Sequence, residues 1–327
     1  MNRRLRWVAT AVASVVALAT LAGCGSSTDE VAASESGRIP LRVTSLGLCN
    51  EIALYAQDAG IFAKHGLDVE LVKSTGGNAG IAAVQSGSAD VAFVSSAAIF
   101  NALAQGLPLT IVSGSGVSTP ESHGVIVAAD SPARGPADLS GKTVAVNELT
   151  GTGAVLTSRW ITDAGGTAPK FTALPFPELA TAVANKAVDG AQVTSTEIFE
   201  VTKAGTGRSI GNPIFDAAGG PTPTAFYATS NDFLAKNQKA VVQFTDAMDE
   251  AAKAGNDKAN NAQKFDIFAK YCKRPAADLA QIAEQGYAGR IDRESFMRMK
   301  SILAETKAIP ADFPVETKVA DFAWTTG

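Results

Sequence analysis

Segments with the hydrophobic pattern of a strand alternate with segments that have the pattern of a helix along residues 41–230. Short runs rich in Val, Ile, Phe and Thr have the length and composition of buried strands, and the segments between them carry apolar residues at helical spacing. Strands that alternate with helices are typical of βαβ units, so the pattern predicts an α/β fold with mainly parallel sheets. The predicted strands are 41–45, 68–72, 91–94, 109–113, 124–128, 143–146, 171–174, 191–193 and 224–229, and the helices between them include 52–64 and 79–86.

The alternation is interrupted twice, and each interruption predicts a crossing between two lobes. The first lies at Thr119–Pro120, and the second is the turn-forming cluster Gly219–Pro223. Residues from 231 onward have a helical pattern, with 240–254 as the clearest helix. Two crossings form a hinge of the kind that a closing protein needs. The predicted fold is therefore two Rossmann-like lobes joined by two crossing segments: lobe 1 (38–122 and 231–327) and lobe 2 (123–230).

An internal similarity supports the two lobes. Residues 83–100 and 182–199 align without gaps at an offset of 99, and eight of the eighteen positions are identical. Two interpretations remain open, since a composition rich in Ala and Val also produces such matches. If the similarity is structural, each copy contains a helix end, a turn, a strand and a hydroxyl-rich strand end.

The N-terminus has the layout of an export signal. Residues 1–6 contain three arginines, and residues 7–21 contain no charged side chain. Fifteen residues are fewer than the roughly 20 that a membrane-spanning helix needs. The sequence Leu21-Ala-Gly-Cys24 follows, so residues 1–23 resemble a lipoprotein signal peptide, after which Cys24 is lipidated and becomes the mature N-terminus. The alternative is an ordinary cleaved signal with an unrelated cysteine.

The segment after Cys24 and the overall charge narrow the classes of function. Residues 24–37 are mainly small and polar, which predicts a flexible tether between the lipid and the folded protein. The formal charge of −4 becomes more negative without the three signal arginines, and neither a basic patch nor a second long apolar run is present. These features argue against nucleic-acid binding and further membrane spans. We expect an extracytoplasmic, membrane-anchored monomer that takes no cofactor.

Two cysteines remain once Cys24 carries lipid. An oxidising compartment favours a disulfide between Cys49 and Cys272. Two independent buried thiols are an equal alternative, because the sequence does not show whether the two Cα atoms come within bonding range.

The ends of the predicted strands are the expected ligand site. In open parallel sheets, ligands bind beyond the carboxyl ends of the strands, where helices begin. The helix starts here are rich in Ser, Thr, Asn and Gly, which can hold a polar ligand together with the first-turn amides. Each of these residues could instead simply cap its own helix. The candidate ligand-binding residues are Cys49, Asn50, Glu51, Gly76, Asn78, Ser95, Ser96, Glu148, Thr150, Thr152, Ser195 and Glu197.

Three of these candidates are acidic. Carboxylates at Glu51, Glu148 and Glu197 would oppose the binding of a bare anion, because like charges repel strongly away from water. We therefore hypothesise a ligand with donor groups or a positive centre, such as a zwitterion or an amino-heterocycle. The alternative is that these glutamates are first-turn helix residues that face solvent.

Four segments resemble one family. They are 59–71 (AGIFAKHGLDVEL), 85–92 (QSGSADVA), 138–146 (DLSGKTVAV) and 187–191 (AVDGA). The chain from Leu41 to Pro310 is similar to the periplasmic-binding-protein-like, type II, proteins for nitrate, aliphatic sulfonates, taurine and thiamine-pyrimidine precursors. The resemblance implies a two-domain trap that closes on a small molecule and docks on the permease of an ATP-driven (ABC) importer.

The resemblance also implies ligand contacts at particular positions. They are Asn50, Ser95, Ser96, Thr150 and Thr152 in three loops, with Ser195 and Glu197 in the second lobe. The resemblance implies a ligand of the sulfonate or taurine type or of the pyrimidine-precursor type. Many relatives have an aromatic residue and a proline where this chain has Thr194-Ser-Thr-Glu197, and this departure leaves the identity of the ligand open.

Two other classes of function remain as alternatives. An enzyme of the same fold would act on a small heterocycle or metabolite, but the chain has only two histidines, His65 and His123, and no metal-ligand spacing, nucleophile elbow or phosphate loop. A ligand-sensing lipoprotein without an importer is the other alternative. We expect a binding protein rather than an enzyme.

Overall fold

The computed structural model describes residue 34 and residues 37–326 of the chain. The predicted export signal, the predicted lipidation of Cys24 and most of the predicted tether lie outside the described residues. No described helix is both long enough and apolar enough to cross a membrane.

Strands and helices alternate through the first two thirds of the described chain. The strands are β1 (Ile39–Ser45), β2 (Leu67–Lys73), β3 (Ala92–Ser95), β4 (Leu109–Gly114), β5 (Gly116–Val117), β6 (His123–Ala128), β7 (Thr143–Val146), β8 (Lys170–Ala173), β9 (Gly190–Thr194), β10 (Gly207–Ser209), β11 (Ala225–Ser230) and β12 (Gly286–Tyr287). The predicted α/β fold is therefore confirmed.

The α-helices include a long helical segment at the C-terminal end. They are α1 (Ile52–Asp58), α2 (Ile61–Lys64), α3 (Gly77–Gln85), α4 (Ser96–Ala104), α5 (Thr152–Asp163), α6 (Phe176–Ala184), α7 (Ser195–Lys203), α8 (Pro213–Asp216), α9 (Asn231–Lys236), α10 (Gln238–Asn256), α11 (Asn261–Cys272), α12 (Ala276–Leu279) and α13 (Arg293–Glu305). Short 3₁₀ helices occur at Pro136–Leu139, Lys258–Asn260, Val315–Lys318 and Asp321–Ala323.

Two sheets have the same strand order. In the first sheet, β1 pairs with β2 in parallel, and β11 lies between β3 and β4 and runs antiparallel to both. The backbone amide of Thr44 donates to the carbonyl of Val91 at 2.9 Å and joins β1 to the start of β3. The second sheet has the order β8-β7-β9-β6-β10, in which β6 runs antiparallel to β9 and β10. In both sheets the antiparallel strand is the first one after a crossing.

The internal similarity at an offset of 99 is structural. Helix α3 and helix α6 are related by that offset at both ends, and so are α4 and α7. Strands β3 and β9 lie between the two helices of each pair. The helix, turn and strand that the sequence aligned are therefore equivalent elements of the two sheets.

The two crossing segments run side by side. The amide of Ser118 donates to the carbonyl of Thr222 at 2.9 Å, and the amide of Thr222 donates to the Ser118 hydroxyl at 3.1 Å. The chain returns to the first sheet at the Gly219–Pro223 turn. Strand β11 therefore hydrogen-bonds to β3 and β4, whereas the sequence division had grouped residues up to 230 with the second lobe.

Helices cover both faces of each sheet, which buries the strands on both sides. On one face of the first sheet the rings of Phe100, Phe226 and Phe296 pack together, with centroids 4.8–5.9 Å apart. On the other face, Phe244 packs against Phe62 and Tyr227. The second sheet has its own apolar clusters on its two faces. The strand ends, where the polar loops lie, are left free to form a site.

A disulfide joins Cys49 to Cys272, with the two Cα atoms 4.7 Å apart. The predicted bridge is thus confirmed, and the alternative of two free thiols is excluded. The bond connects the loop after β1 to the end of α11, and its two cysteines are 223 positions apart in the sequence. It fixes the loop that carries Asn50 and Glu51 to the helical C-terminal part of the chain.

Removal of this bond will destabilise the protein. The double substitution C49A/C272A should lower the free energy of unfolding by about 2–4 kcal/mol, because the unfolded chain is no longer cross-linked. Urea unfolding followed by circular dichroism measures the change. Native protein reduced with dithiothreitol should behave like the double variant, and an unchanged midpoint in reduced protein with two titrated thiols contradicts the prediction.

Candidate functional site

A cavity of about 80 Å³ lies between the two sheets. Its walls are the carboxyl ends of β1, β3, β7 and β9 together with the crossing segments, as expected for a ligand site in open α/β sheets. The lining residues are Leu46, Leu48, Asn50, Glu51, Phe93, Ser95, Ser115, Gly116, Ser122, His123, Asn147, Thr152, Gly153, Phe176, Gln192, Thr194, Ile214, Thr224, Ala225 and Gln285. The volume is below the roughly 300–1,000 Å³ of sites for drug-sized molecules, so the cavity fits a small solute.

Four of the predicted site residues line this cavity: Asn50, Glu51, Ser95 and Thr152. Glu51 is the only acidic residue among the lining side chains, and no lysine or arginine is among them. The other predicted residues lie around the cavity rather than on its wall. Most of them hold the two sheets together or cap helices.

Helices α3 and α4 have no side-chain cap from their own N-cap residues, Gly76 and Ser95. In both helices a side chain from the second sheet takes this role. Glu148 accepts a hydrogen bond through Oε1 from the amide of Asn78 at 2.9 Å, and Thr152 accepts one through Oγ1 from the amide of Ala97 at 3.0 Å. Both amides belong to the second residue of a helix, where a free N–H needs a partner. We call these two contacts the cross-cleft caps.

Glu148 fits this position because Gly77 lies beside it. A Cβ atom at Gly77 would come within 3.3 Å of Glu148 Oε2 and within 3.0 Å of the Val94 side chain. The hydroxyl of Ser95 is 3.5 Å from the same carboxylate oxygen. The negative charge of Glu148 thus lies at the positive end of the α3 dipole.

Further polar contacts connect the two sheets around the cavity. Asn78 donates to the Thr150 hydroxyl at 3.1 Å, so two predicted ligand residues bind each other. Arg159 on α5 forms an ion pair with Glu305 on α13 at 2.6 Å, and Lys203 on α7 pairs with Asp278 on α12 at 2.8 Å. These pairs are largely exposed, so each contributes at most about 1 kcal/mol.

Glu51 differs from the other acidic candidates. Only 3 % of the residue is exposed. Its Oε1 atom accepts a hydrogen bond from the amide of Leu48 at 3.0 Å, while Oε2 is buried and has no hydrogen-bond partner among the described residues. Burial raises the pKa of Glu51 to about 7, although hydrogen bonds from Ser45 and the loop amides act in the opposite direction.

Glu197 has a structural role in its own helix. Its Oε2 atom accepts hydrogen bonds from the amide and the hydroxyl of Thr194, at 3.0 and 2.6 Å, and forms the capping box of α7. Burial raises the pKa of Glu197, and the bonds from Thr194 oppose that shift. The capping alternative is therefore the correct one for this residue.

The remaining candidates also lie away from the cavity wall. Ser96 donates to the carbonyl of Pro223 at 2.7 Å and anchors α4 to the second crossing. Ser195 is buried at the start of α7, where its amide donates to the carbonyl of Ser122. Cys49 is in the disulfide, and Gly76 precedes α3 beside Glu148. Their loops lie around the cavity, but the sequence could not show which side of each loop faces it.

Sequence reasoning missed several lining residues that do not belong to the predicted helix starts. His123 opens β6, and its Nδ1 atom is 2.8 Å from the Ser122 hydroxyl. Burial lowers the pKa of His123 to about 4, so the ring is neutral at pH 7. Gln192 on β9 and Gln285 near β12 also line the cavity. A polar residue inside an apolar strand, such as Gln192 between Ala191 and Val193, is the signal that could have found it.

The architecture has clear counterparts among solved structures. The alkanesulfonate-binding protein from Xanthomonas axonopodis pv. citri, bound to MOPS, superposes with a TM-score of 0.71 at 18 % identity over 86 % of this chain and 98 % of that one. The aliphatic sulphonate-binding protein from Escherichia coli gives 0.66 at 18 % over 88 % and 94 %. The nitrate-binding protein from Synechocystis PCC 6803 gives 0.67 at 16 % over 85 % and 84 %. The fold is that of the periplasmic binding proteins.

The sequence matches one family model, described as NMT1/THI5 like, over residues 51–261. This match covers more than half of the chain, so the protein belongs to the NMT1/THI5-like family. No curated protein matches the sequence significantly. Among the described residues, no group of three or more His, Cys, Asp and Glu side chains is placed to hold a metal ion.

The substitution E51Q should stabilise the protein at alkaline pH. The pKa of Glu51 is raised in the folded state, so the folded protein holds this proton more tightly than the unfolded chain. The stability that this proton contributes is complete below the unfolded pKa of 4.5 and is lost as the pH rises through about 7.

A shift of this size corresponds to about 3 kcal/mol. The difference in unfolding free energy between E51Q and the native protein should therefore grow from near zero at pH 4.5 to about 3 kcal/mol at pH 8, as measured by urea unfolding. The substitution E178Q, at an exposed glutamate of α6, is the control. A difference that is the same at both pH values contradicts the assignment.

The substitution E148A should loosen the contact between the two sheets. Loss of a helix cap costs about 1 kcal/mol, which shifts the ratio of closed to open molecules roughly fivefold. Small-angle X-ray scattering of the unliganded protein should show a larger radius of gyration than native protein, with E178A as the matched control. An unchanged radius would show that the cross-cleft cap at α3 does not hold the closed arrangement.

Proposed function

We propose that the protein is the extracytoplasmic solute-binding lipoprotein of an ABC importer. In this proposal, lipid on Cys24 anchors it to the membrane, and the folded part delivers a small polar organic ligand to the permease. The observation that carries the proposal is the cavity between the two sheets, which has twelve polar residues in its wall and is bridged by side-chain caps. The fold, shared with binding proteins for sulfonates and nitrate, supports the same class of function.

The mechanism is capture in an open state, closure about the two crossings and release at the permease. In this proposal, lobe 1 comprises residues 38–122 and 225–327 and lobe 2 comprises residues 123–224. The boundary of the predicted lobe 2, residues 123–230, moves to 224 because β11 pairs with β3 and β4. A ligand that touches both lobes binds the closed state more tightly than the open one, and only this difference shifts the population.

The ligand is of the sulfonate or taurine type or of the pyrimidine-precursor type. The twelve polar residues of the cavity wall, which include Asn50, Asn147 and Gln192, provide donors and acceptors from both sheets. Phe93 and Phe176 contribute apolar surface from opposite sides. Such a mixture orients a small molecule that has both polar and apolar parts.

Two alternatives are separated by experiment. An enzyme would release a changed molecule, whereas a binding protein returns its ligand unchanged. A sensor without an importer would bind the ligand but would not support its uptake.

Protein purified from its native cell should carry a small molecule that mass spectrometry can identify. The same molecule, added to stripped protein, should bind with 1:1 stoichiometry in calorimetry and reduce the radius of gyration. It should be recovered chemically unchanged after prolonged incubation.

Deletion of the gene should abolish uptake of that molecule, and the native gene should restore it. A ligand that is converted by the protein would overturn the proposal in favour of an enzyme. Uptake that is unaffected by the deletion would favour a sensor.

A further inference from the structure

The cavity wall has a single charged side chain, and its charge is negative. Glu51 is the only residue of the wall that can carry a charge near pH 7, because His123 is neutral and the wall has no lysine or arginine. A bound anion would therefore meet a carboxylate and no compensating positive side chain. Away from bulk water, such a repulsion is large.

Two of the helix starts around the cavity are already occupied. The amide of Asn78 on α3 donates to Glu148, and the amide of Ala97 on α4 donates to Thr152. The chain thus provides its own carboxylate at the α3 end. A ligand anion would have to displace Glu148 to gain the same amide. Helices α5 and α6 also start at the cavity wall, and neither has a side-chain cap.

Glu51 itself lacks a partner. One carboxylate oxygen is held by Leu48, and the other is buried without a hydrogen bond among the described residues. A buried carboxylate with an unused oxygen costs free energy unless a donor reaches it. Such a donor with a positive charge would compensate both the charge and the missing hydrogen bond.

We propose that Glu51 is the specificity-determining residue of the cavity and that it binds a protonated nitrogen of the ligand, such as a primary ammonium or a protonated aminomethyl-heterocycle. This assignment rests on the proposed solute-binding function and names the class of ligand within it. The disulfide at Cys49 holds the loop that positions Glu51.

Binding of such a cation depends on the charge of Glu51. With a pKa of about 7, the carboxylate fraction falls about tenfold between pH 8 and pH 6. The other titratable groups near this end of the cavity do not change charge in that range: His123 titrates at about pH 4, and burial raises the pKa values of Tyr227 and Tyr287 above their usual range.

Matched pairs of small molecules test the assignment. Each pair differs only in an amine against a hydroxyl group: taurine and isethionate, ethanolamine and ethylene glycol, 5-aminomethylpyrimidine and 5-hydroxymethylpyrimidine. Calorimetry with stripped full-length protein at pH 8, with probes at up to about 10 mM, detects complexes with millimolar dissociation constants.

At least one amine should bind at least tenfold more tightly than its hydroxyl partner. Its affinity should fall about tenfold at pH 6, and both the preference and the pH dependence should disappear in E51Q. The variant E178Q should retain both. Thermal unfolding of E51Q confirms that the variant is folded.

Three results would overturn the assignment: hydroxyl partners that bind as tightly as amines, an amine preference that survives in E51Q, or no amine bound at about 10 mM. A neutral or anionic solute that reduces the radius of gyration and whose uptake needs the gene would leave the solute-binding function intact while excluding the ammonium. An amine that binds through Glu51 but is taken up without the gene would support the ammonium assignment and exclude the importer function.

Discussion

The first-turn amides of α3 and α4 are the constraint on which the site depends. An N–H group at a helix start needs an acceptor when it is removed from water, and neither helix has a side-chain cap of its own. The acceptors are Glu148 and Thr152, which belong to the second sheet. At α4, where the hydrogen bond is buried, satisfying the helix end and bringing the sheets together are therefore the same event, whereas the bond at α3 lies at the exposed edge of the contact. The cavity is what remains between the sheets once these caps are formed.

This arrangement explains why similar sequence features have different roles. Glu197 and Glu148 both stand at helix starts, but Glu197 caps its own helix α7, whereas Glu148 caps a helix of the opposite sheet. Glu51 is part of the cavity wall, and its Oε2 atom is buried without a hydrogen-bond partner among the described residues. A row of acidic residues that looks uniform in sequence is thus divided into a structural cap, a contact between the sheets and a candidate ligand group.

The fold was largely predictable because its determinants are local. Strand periodicity placed β7 at its exact bounds and β1, β2 and β6 to within two residues, and the offset of 99 correctly related α3 to α6. The sites were predictable only as loops. Ser95 and Ser96 are neighbours in the sequence, but only Ser95 lines the cavity. The Ser96 hydroxyl donates to the carbonyl of Pro223, which is 127 residues away. His123 reaches the cavity from the first crossing and Gln285 from the segment before β12, and no local pattern encodes either contact.

Gly77 is small for a reason that concerns both the balance between states and the ligand. A Cβ atom at this position would lie 3.3 Å from the Glu148 carboxylate and 3.3 Å from the backbone amide of Ser95, which is part of the cavity wall. Displacement of the carboxylate would lower the affinity for every ligand by the same factor, because it acts on the population that can bind. Displacement of Ser95 would change the wall itself. One glycine is thus coupled both to how tightly the chain holds its cargo and to which cargo fits.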